Sequence, residues 1–215
     1  MVDKGGLRVN IAAVAQEIVK YGKEITDKGL VNGTDGNISV RMEDVVVSTP
    51  SGWSLGELKA DCLSITNVNG DVLSGPKPTK ELPMHLAVYR NRQDLNAVVH
   101  THSIYAVTYS CSAEKNTLIP IFIPSIAAKV GNVKLLPFAL PGSTELGELV
   151  GKEIQYYKGL LLENHGVLSA GKTLKPAIMG AYEIEDNLKI DFISNHTARR
   201  IPEESVQKII FTYGG

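Results

Sequence analysis

Tight turns between short apolar runs are the feature that most limits how this chain can fold. One turn, Glu43-Asp44, separates runs that end at Val40 and begin at Val45, and a second hairpin closes across Asn69-Gly70. Asn-Gly readily adopts the positive φ angles that two-residue hairpin turns require. Such turns join antiparallel strands, whereas parallel strands need a long crossover. The sequence therefore predicts a sheet that is mixed and largely antiparallel.

Helical patterns interleave with these strands. Apolar residues at helical spacing, together with proline and glycine punctuation, predict helices over residues 9–28, from about residues 79–82, over 146–154, from Thr173 and from Pro202. Short extended pieces are predicted over residues 119–124 and 134–137, separated by a stretch of small residues. No repeat or linker interrupts the pattern. We therefore predict one α/β domain over residues 1–215, with a central sheet flanked by helices.

Composition indicates an ordinary soluble protein with a small partner. The chain is 43% hydrophobic with a formal net charge of −1, which disfavours nucleic-acid binding. We find neither a signal segment nor an apolar run long enough to span a membrane. Cys62 and Cys111 each lie beside apolar or small residues, which predicts buried free thiols and a reducing, cytoplasmic location.

Three histidines follow apolar runs and suggest a metal site. His100 and His102 end one such run, and alternation along a strand would project both side chains from the same face. His165 follows another run. Imidazoles suit zinc, and three protein nitrogens with an open fourth position are typical of a catalytic site. The alternative is that these are ordinary polar residues at strand ends.

A carboxylate that could act with a metal is Glu81, at the predicted start of a helix. Considered alone, a glutamate in a first turn is better explained by the helix dipole, which it stabilises without any further function. His85 would share its face of the helix, and neither His85 nor His196 is assigned a role.

Three loops carry groups suited to an anion: Gly36-Asn37, Ser51-Gly52 and Thr79-Lys80. Phosphate binding uses exposed backbone N–H groups, small hydroxyls and a cation, and the three loops together supply all of these. Each loop alone is weak evidence, because turn residues and surface lysines are common.

Five motifs, taken together, resemble a known family. They are Asn-Gly-Thr-Asp-Gly-Asn-Ile-Ser over residues 32–39, Thr-Pro-Ser-Gly over 49–52, Pro-Thr-Lys-Glu over 78–81, His-Thr-His over 100–102 and Asn-His-Gly over 164–166. In this order and spacing the chain is similar to the class II aldolase/adducin family from about residue 9 to the C-terminus. The resemblance implies an α/β fold and a four-fold symmetric homotetramer with sites near subunit boundaries.

The resemblance also implies the composition of the site. One Zn²⁺ per subunit would be held by His100, His102 and His165, with Glu81 as base and, without substrate, as a fourth ligand. Phosphate contacts would come from Gly36, Asn37, Ser51, Gly52, Thr79 and Lys80, and Asn32 and Thr34 would line the same pocket. The zinc would act as a Lewis acid on a ketose phosphate and stabilise an enediolate.

The implied reaction is carbon-carbon bond cleavage. Glutamate at position 81, where epimerases of the family usually have aspartate, favours lyase chemistry. We place first an aldolase that cleaves a ketose phosphate such as L-fuculose 1-phosphate to dihydroxyacetone phosphate and an aldehyde. The alternative is a 3-oxo-tetronate 4-phosphate decarboxylase. Fuculose aldolases usually have two serines before the glutamate, whereas Thr79-Lys80 is more similar to the residues that the decarboxylases have there. A non-catalytic adducin-like module is a third reading, disfavoured by the retained histidines.

The C-terminal residues 211–214 resemble the aldolase tail that brings a tyrosine to the site, which would make Tyr213 catalytic. The alternative is a frayed terminus. Pro124-Ser125-Ile126 occupies the stretch where a tyrosine presented to a neighbouring subunit is expected, so the group that protonates the aldehyde oxygen is not identified.

Overall fold

A computed structural model of the protein describes residues 4–112 and 117–214. Its strands are β1 (Asn37–Met42), β2 (Val45–Ser48), β3 (Ser64–Asn67), β4 (Val72–Ser74), β5 (Ala97–Thr101), β6 (Val133–Leu136), β7 (Gly159–Leu162) and β8 (Gly166–Gly171). The α-helices within these ranges are α1 (Lys4–Asp27), α2 (Leu82–Asn91), α3 (Ile104–Ser112), α4 (Pro124–Lys129), α5 (Thr144–Glu153), α6 (Leu174–Ile193) and α7 (Glu203–Tyr213).

All eight strands form one sheet in the order β4-β3-β2-β1-β5-β8-β7-β6. Every neighbouring pair is antiparallel except β6 and β7. Both predicted hairpins form, with Glu43 at φ 55° between β1 and β2 and Gly70 at φ 98° between β3 and β4. The predicted α/β fold with a largely antiparallel central sheet is therefore confirmed.

The two faces of the sheet are covered by different helices. Alternation along β1 turns Ile38 and Val40 into a core shared with α1 and α6. On the opposite face, Val98 of β5 and Leu168 of β8 pack against α2 and α5. A third apolar cluster joins the β6–β8 end of the sheet to α3, α4, α6 and α7. The result is a sheet between two helical layers.

Four elements differ from the sequence-based prediction. Helix α3 and strand β8 were not predicted, because residues 104–112 and 166–171 have no clear apolar periodicity. The predicted extended piece over 119–124 forms no strand: an isolated bridge joins Leu118, just before it, to Lys134, and Pro124 already belongs to α4. The small residues that follow form α4, because Pro124 occupies a first-turn position in which its fixed φ favours a helix.

The predicted burial of the cysteines is wrong. Cys62 is partly exposed at the end of a short 3₁₀ turn, and Cys111 is exposed near the end of α3. Apolar neighbours in sequence do not fix which side of a helix a residue occupies, since burial follows the helical period. Both thiols are free. None of the helices in the described ranges is both long and apolar enough to cross a membrane.

Gly166 at the start of β8 generates a stability prediction. A Cβ added there would lie 2.2 Å from the Thr101 carbonyl oxygen and 3.2 Å from ring carbons of His100 and His102. Gly166→Ala should therefore lower the free energy of unfolding by about 1–3 kcal/mol, measured by urea denaturation. The control is Gly147→Ala in α5, where the nearest atom lies at 3.5 Å and alanine favours the helix. Equal stabilities of the two variants would contradict this account.

Candidate metal centre

Three elements bring the candidate ligands to one end of the sheet. His100 pairs with Asn37 of β1 and with Leu168 of β8, so it lies between the two strands that flank β5. His102 follows the end of β5, and His165 lies in the turn from β7 to β8. On the face that α2 covers, Glu81 lies immediately before the helix. The predicted start of this helix, near residues 79–82, is confirmed.

The three imidazoles converge. The Nε2 atoms of His100 and His102 are 2.8 Å apart, and the three ring centroids are separated by 4.7, 4.7 and 5.0 Å. His100 is fully buried, His165 is buried and His102 is half-buried. The structure thus brings together the three histidines that the sequence singled out.

Glu81 completes the cluster. Its Oε1 lies 3.1 Å from His165 Nε2, and its Oε2 lies 3.4 Å from His100 Nε2. The Asn37 amide donates to Oε2 at 2.8 Å. The carboxylate makes no capping hydrogen bond to α2 and instead faces His100, His165 and Asn37. One ligand atom from each of the four side chains lies within 4.8 Å of the others.

The hydrogen bonds around the cluster suit a cation. The Nδ1–H of His100 donates to the Val167 carbonyl at 2.8 Å, which leaves the Nε2 lone pair directed at the cluster. Glu81 Oε1 and His165 Nδ1 are buried and have no hydrogen-bond partner among the described residues. Buried polar atoms are normally paired, so the Glu81 oxygen, which faces His165 Nε2 at 3.1 Å, calls for a further partner. A divalent cation would satisfy the lone pairs that converge here.

The protonation states of the candidate ligands also favour a bound metal. Burial lowers the pKa of His100 to about 3 and also lowers the pKa of His102, so both rings are neutral at pH 7. Burial raises the pKa of Glu81, but His100, His165 and the Asn37 amide outweigh it, and the net pKa lies below the usual range. A metal requires neutral imidazoles and an ionised carboxylate. His100, His102 and Glu81 are therefore in the protonation states that bind a metal.

A polar cavity of about 260 Å³ opens beside the cluster. Its lining residues are Thr34, Asp35, Gly36, Asn37, Pro50, Ser51, Gly52, Thr79, Lys80, Glu81, His102, Pro141 and His165. All six predicted phosphate-contact residues and Thr34 are in this set, whereas Asn32, also predicted to line the pocket, is exposed and does not line the cavity. Larger clefts lie elsewhere, including one of about 560 Å³ between α2 and α5, but they do not contain this cluster.

Backbone pairing holds two of the predicted anion loops together. The N–H of Ser51 donates to the Lys77 carbonyl and the N–H of Thr79 to the Thr49 carbonyl, both at 3.0 Å. These N–H groups are therefore not free for a ligand. The Ser51 hydroxyl and the Lys80 ammonium remain, and Lys80 is exposed without an ion-pair partner in the described ranges. An anion in the cavity would meet these two side chains.

Three lining residues were not predicted, namely Asp35, Pro50 and Pro141. Asp35 has its Oδ2 3.8 Å from His102 Nδ1 and lies within a motif that was identified, so its position beside Thr34 was an available signal. Pro141 comes from the segment between β6 and α5, and nothing in the sequence places that segment near the cavity.

Three residues with uncertain roles also have defined positions. Tyr213 ends α7, is 71% exposed and does not line the cavity. His196 pairs with Asp191 through Nδ1 at 2.8 Å, away from the cluster. His85 is fully buried, with Nε2 2.6 Å from Asn37 Oδ1.

Comparisons with known proteins give one consistent result. A model of the class II aldolase and adducin N-terminal domain matches residues 16–192. The chain is 39% identical over 180 residues to a 3-oxo-tetronate 4-phosphate decarboxylase of Pectobacterium atrosepticum, covering 82% of this chain and 83% of the relative. It is 34% identical over 180 residues to an L-fuculose phosphate aldolase of Methanococcus maripaludis, covering 84% and 97%. A solved L-fuculose 1-phosphate aldolase superposes with a TM-score of 0.87 at 29% identity, covering 94% and 97%.

The cluster predicts stoichiometric binding of a divalent ion. Metal-free protein titrated with zinc should bind about one ion per chain. His100→Ala should weaken binding at least tenfold, since it removes a buried ligand, whereas Glu81→Gln should keep the ion because three imidazoles remain. Calorimetry and elemental analysis measure both effects.

The control for this titration is His196→Ala, because it removes a histidine that lies outside the cluster. That variant should bind zinc like the unmodified protein. Binding of less than about half an ion per chain, or an equal loss in the two histidine variants, would argue against the assigned ligands.

Proposed function

The chain belongs to the class II aldolase and adducin family, and on this premise we propose that it is a metal-dependent lyase that breaks a carbon-carbon bond in a phosphorylated sugar or sugar acid. The observation that carries the proposal is the Glu81 and three-histidine cluster. It opens onto a cavity lined by the Ser51 hydroxyl and by Lys80, which has no ion-pair partner among the described residues. A non-catalytic interaction module would have no need for buried, convergent ligands.

The residues that would hold the metal are His100, His102 and His165, together with Glu81 before substrate binds. Zinc suits this donor set, although other divalent ions take the same ligands. A bound divalent ion would supply Lewis-acid polarisation of the substrate oxygens. We propose that Ser51 and Lys80 bind the phosphate, with Gly52 and Thr79 shaping that end of the cavity.

Proton transfer is assigned to Glu81 Oε1. This atom is buried 3.1 Å from His165 Nε2, which as a metal ligand would carry no hydrogen to donate, while Oε2 is held by the Asn37 amide. An ionised carboxylate oxygen without a donor is available to take or return a proton at the reacting carbon. The buried His100 side of the cluster limits access of water to the same point.

Within this class, decarboxylation is the reaction we favour. A 3-oxo acid phosphate loses carbon dioxide, the bonding electrons remain as an enediolate, and a proton that Glu81 takes from solvent and passes to the carbon gives dihydroxyacetone phosphate. Aldol cleavage releases the same fragment but also requires a group that handles the proton of the departing aldehyde oxygen. Tyr213, predicted for that task, does not line the cavity.

The names of the relatives support the same order of preference. The 39% identity to a decarboxylase is higher than the 34% identity to an aldolase. This reverses the order that the sequence motifs suggested. Aldol cleavage of a ketose 1-phosphate remains the second candidate, favoured by the fold similarity to L-fuculose 1-phosphate aldolase.

The two reactions are separated by their second product. Zinc-loaded protein should release carbon dioxide and dihydroxyacetone phosphate from a 3-oxo-tetronate 4-phosphate, and little aldehyde from a panel of ketose 1-phosphates. Coupled detection of carbon dioxide and of aldehyde measures the two products. Efficient release of aldehyde without any decarboxylation would overturn our preference.

Lys80 gives a second expectation for the same assay. Lys80→Met should raise the KM for the acid substrate about tenfold, because it removes a cation from a cavity that binds two anionic groups; tenfold corresponds to about 1.4 kcal/mol. The control is Lys77→Met, since Lys77 is exposed and does not line the cavity. Equal KM values for the two variants would show that Lys80 does not bind the substrate.

A further inference from the structure

A line of polar side chains runs inward from Glu81 between α2 and β1. Residues Glu81, His85 and Tyr89 recur at intervals of four along the helix, and Asn37 and Ser39 alternate along the strand. Four helical residues rise about 6 Å and two strand residues about 6.6 Å. The two spacings nearly match, so each helix residue meets a partner on the strand.

The contacts form a continuous chain. From Glu81 Oε2 it passes to Asn37 Nδ2 at 2.8 Å, and from Asn37 Oδ1 to His85 Nε2 at 2.6 Å. It continues from His85 Nδ1 to the Ser39 hydroxyl and from there to the Tyr89 hydroxyl, each at 2.7 Å. All five side chains are buried, and His85 and Ser39 are completely so.

Only one direction of donation satisfies every member of this chain. The ionised Glu81 carboxylate can only accept, so the Asn37 amide donates from Nδ2 and its oxygen accepts from His85 Nε2–H. His85 Nδ1 then carries a lone pair and accepts from the Ser39 hydroxyl, which accepts from Tyr89. The charge at one end of the chain thus fixes the tautomer of His85.

Arg41 holds the end of this hydrogen-bond chain that is farthest from Glu81. Its guanidinium donates to the Tyr89 carbonyl at 2.7 Å and to carbonyls of Gln93 and Leu95 at 2.8 and 3.1 Å. These acceptors lie at and beyond the C-terminal end of α2, where carbonyls lack helical partners. The helix therefore cannot easily slide along β1, and the chain of contacts keeps its register.

We propose that His85 is a positioning residue, which orients the Glu81 carboxylate through Asn37 so that Oε2 is held and Oε1 faces the substrate. The proposal rests on the proposed function and deepens it. A purely structural role would require only that the buried polar atoms be paired. The positioning role requires in addition that the link between His85 and Asn37 matter more than the link between His85 and Ser39.

Two conservative substitutions separate these roles. Glutamine can place an amide nitrogen near the His85 Nε2 position and keep the bond to Asn37, whereas asparagine can place an oxygen near Nδ1 and keep the bond to Ser39. His85→Gln should retain kcat within about threefold. His85→Asn should lower kcat about 10- to 100-fold, the usual effect of losing a partner that orients a ligand, with KM and zinc content unchanged.

Both variants lose one buried hydrogen bond, so they are matched in the structural defect that each creates. Equal kcat values would overturn the positioning role. If either variant fails to fold, nitrogen NMR of His85 in the unmodified zinc-loaded protein still tests the direction of donation that the positioning role requires. We expect Nε2–H with an unprotonated Nδ1, and an Nδ1–H tautomer would overturn the inference. A protein that is inactive on both substrate classes would contradict the proposed function. The NMR result tests the hydrogen-bond chain independently of activity.

Discussion

The alignment of α2 with β1 is the constraint on which the rest of the site depends. Arg41 ties the end of the helix to the strand, and buried hydrogen bonds through Ser39 and Asn37 extend that alignment to Glu81. Because β1 also pairs with β5, the strand that positions Glu81 positions His100 as well. A shift of one residue along β1 would turn these polar groups to the opposite face and separate them from the helix.

Each polar group in the cluster would lower the stability of the fold if it were buried alone, but a bound cation would make the arrangement favourable. A buried carboxylate and three buried or half-buried imidazoles place several lone pairs close together, and two of the atoms have no hydrogen-bond partner in the described ranges. Such an arrangement costs stability unless a further charge satisfies it. The close approach of β8, permitted by the absence of a side chain at Gly166, holds two of the rings in place. The stability of the fold and the geometry of the site are therefore linked.

Sequence patterns were informative where the physical rule is local. Hairpin turns, the first-turn proline of α2 and the alternation of His100 and His102 each depend on neighbouring residues, and all agree with the structure. Helix α3, strand β8 and the exposure of Cys111 depend on packing between distant segments, which local periodicity does not report. Pro141 reaches the cavity through tertiary structure alone. The hydrogen-bond chain from Glu81 to Tyr89 could not be predicted from either element alone. It follows only when the four-residue spacing along α2 is matched to the two-residue spacing along β1, and the sequence does not show that α2 covers β1.

X-ray absorption at the zinc edge of protein loaded with one equivalent of zinc tests the central claim most directly, namely that four converging side chains hold one divalent ion. The account predicts three imidazole nitrogens at about 2.0–2.1 Å together with at least one oxygen. His100→Ala should remove one imidazole from the ligand set, and His196→Ala should remove none. A spectrum with six oxygen ligands, or with no more than one imidazole, would contradict the account.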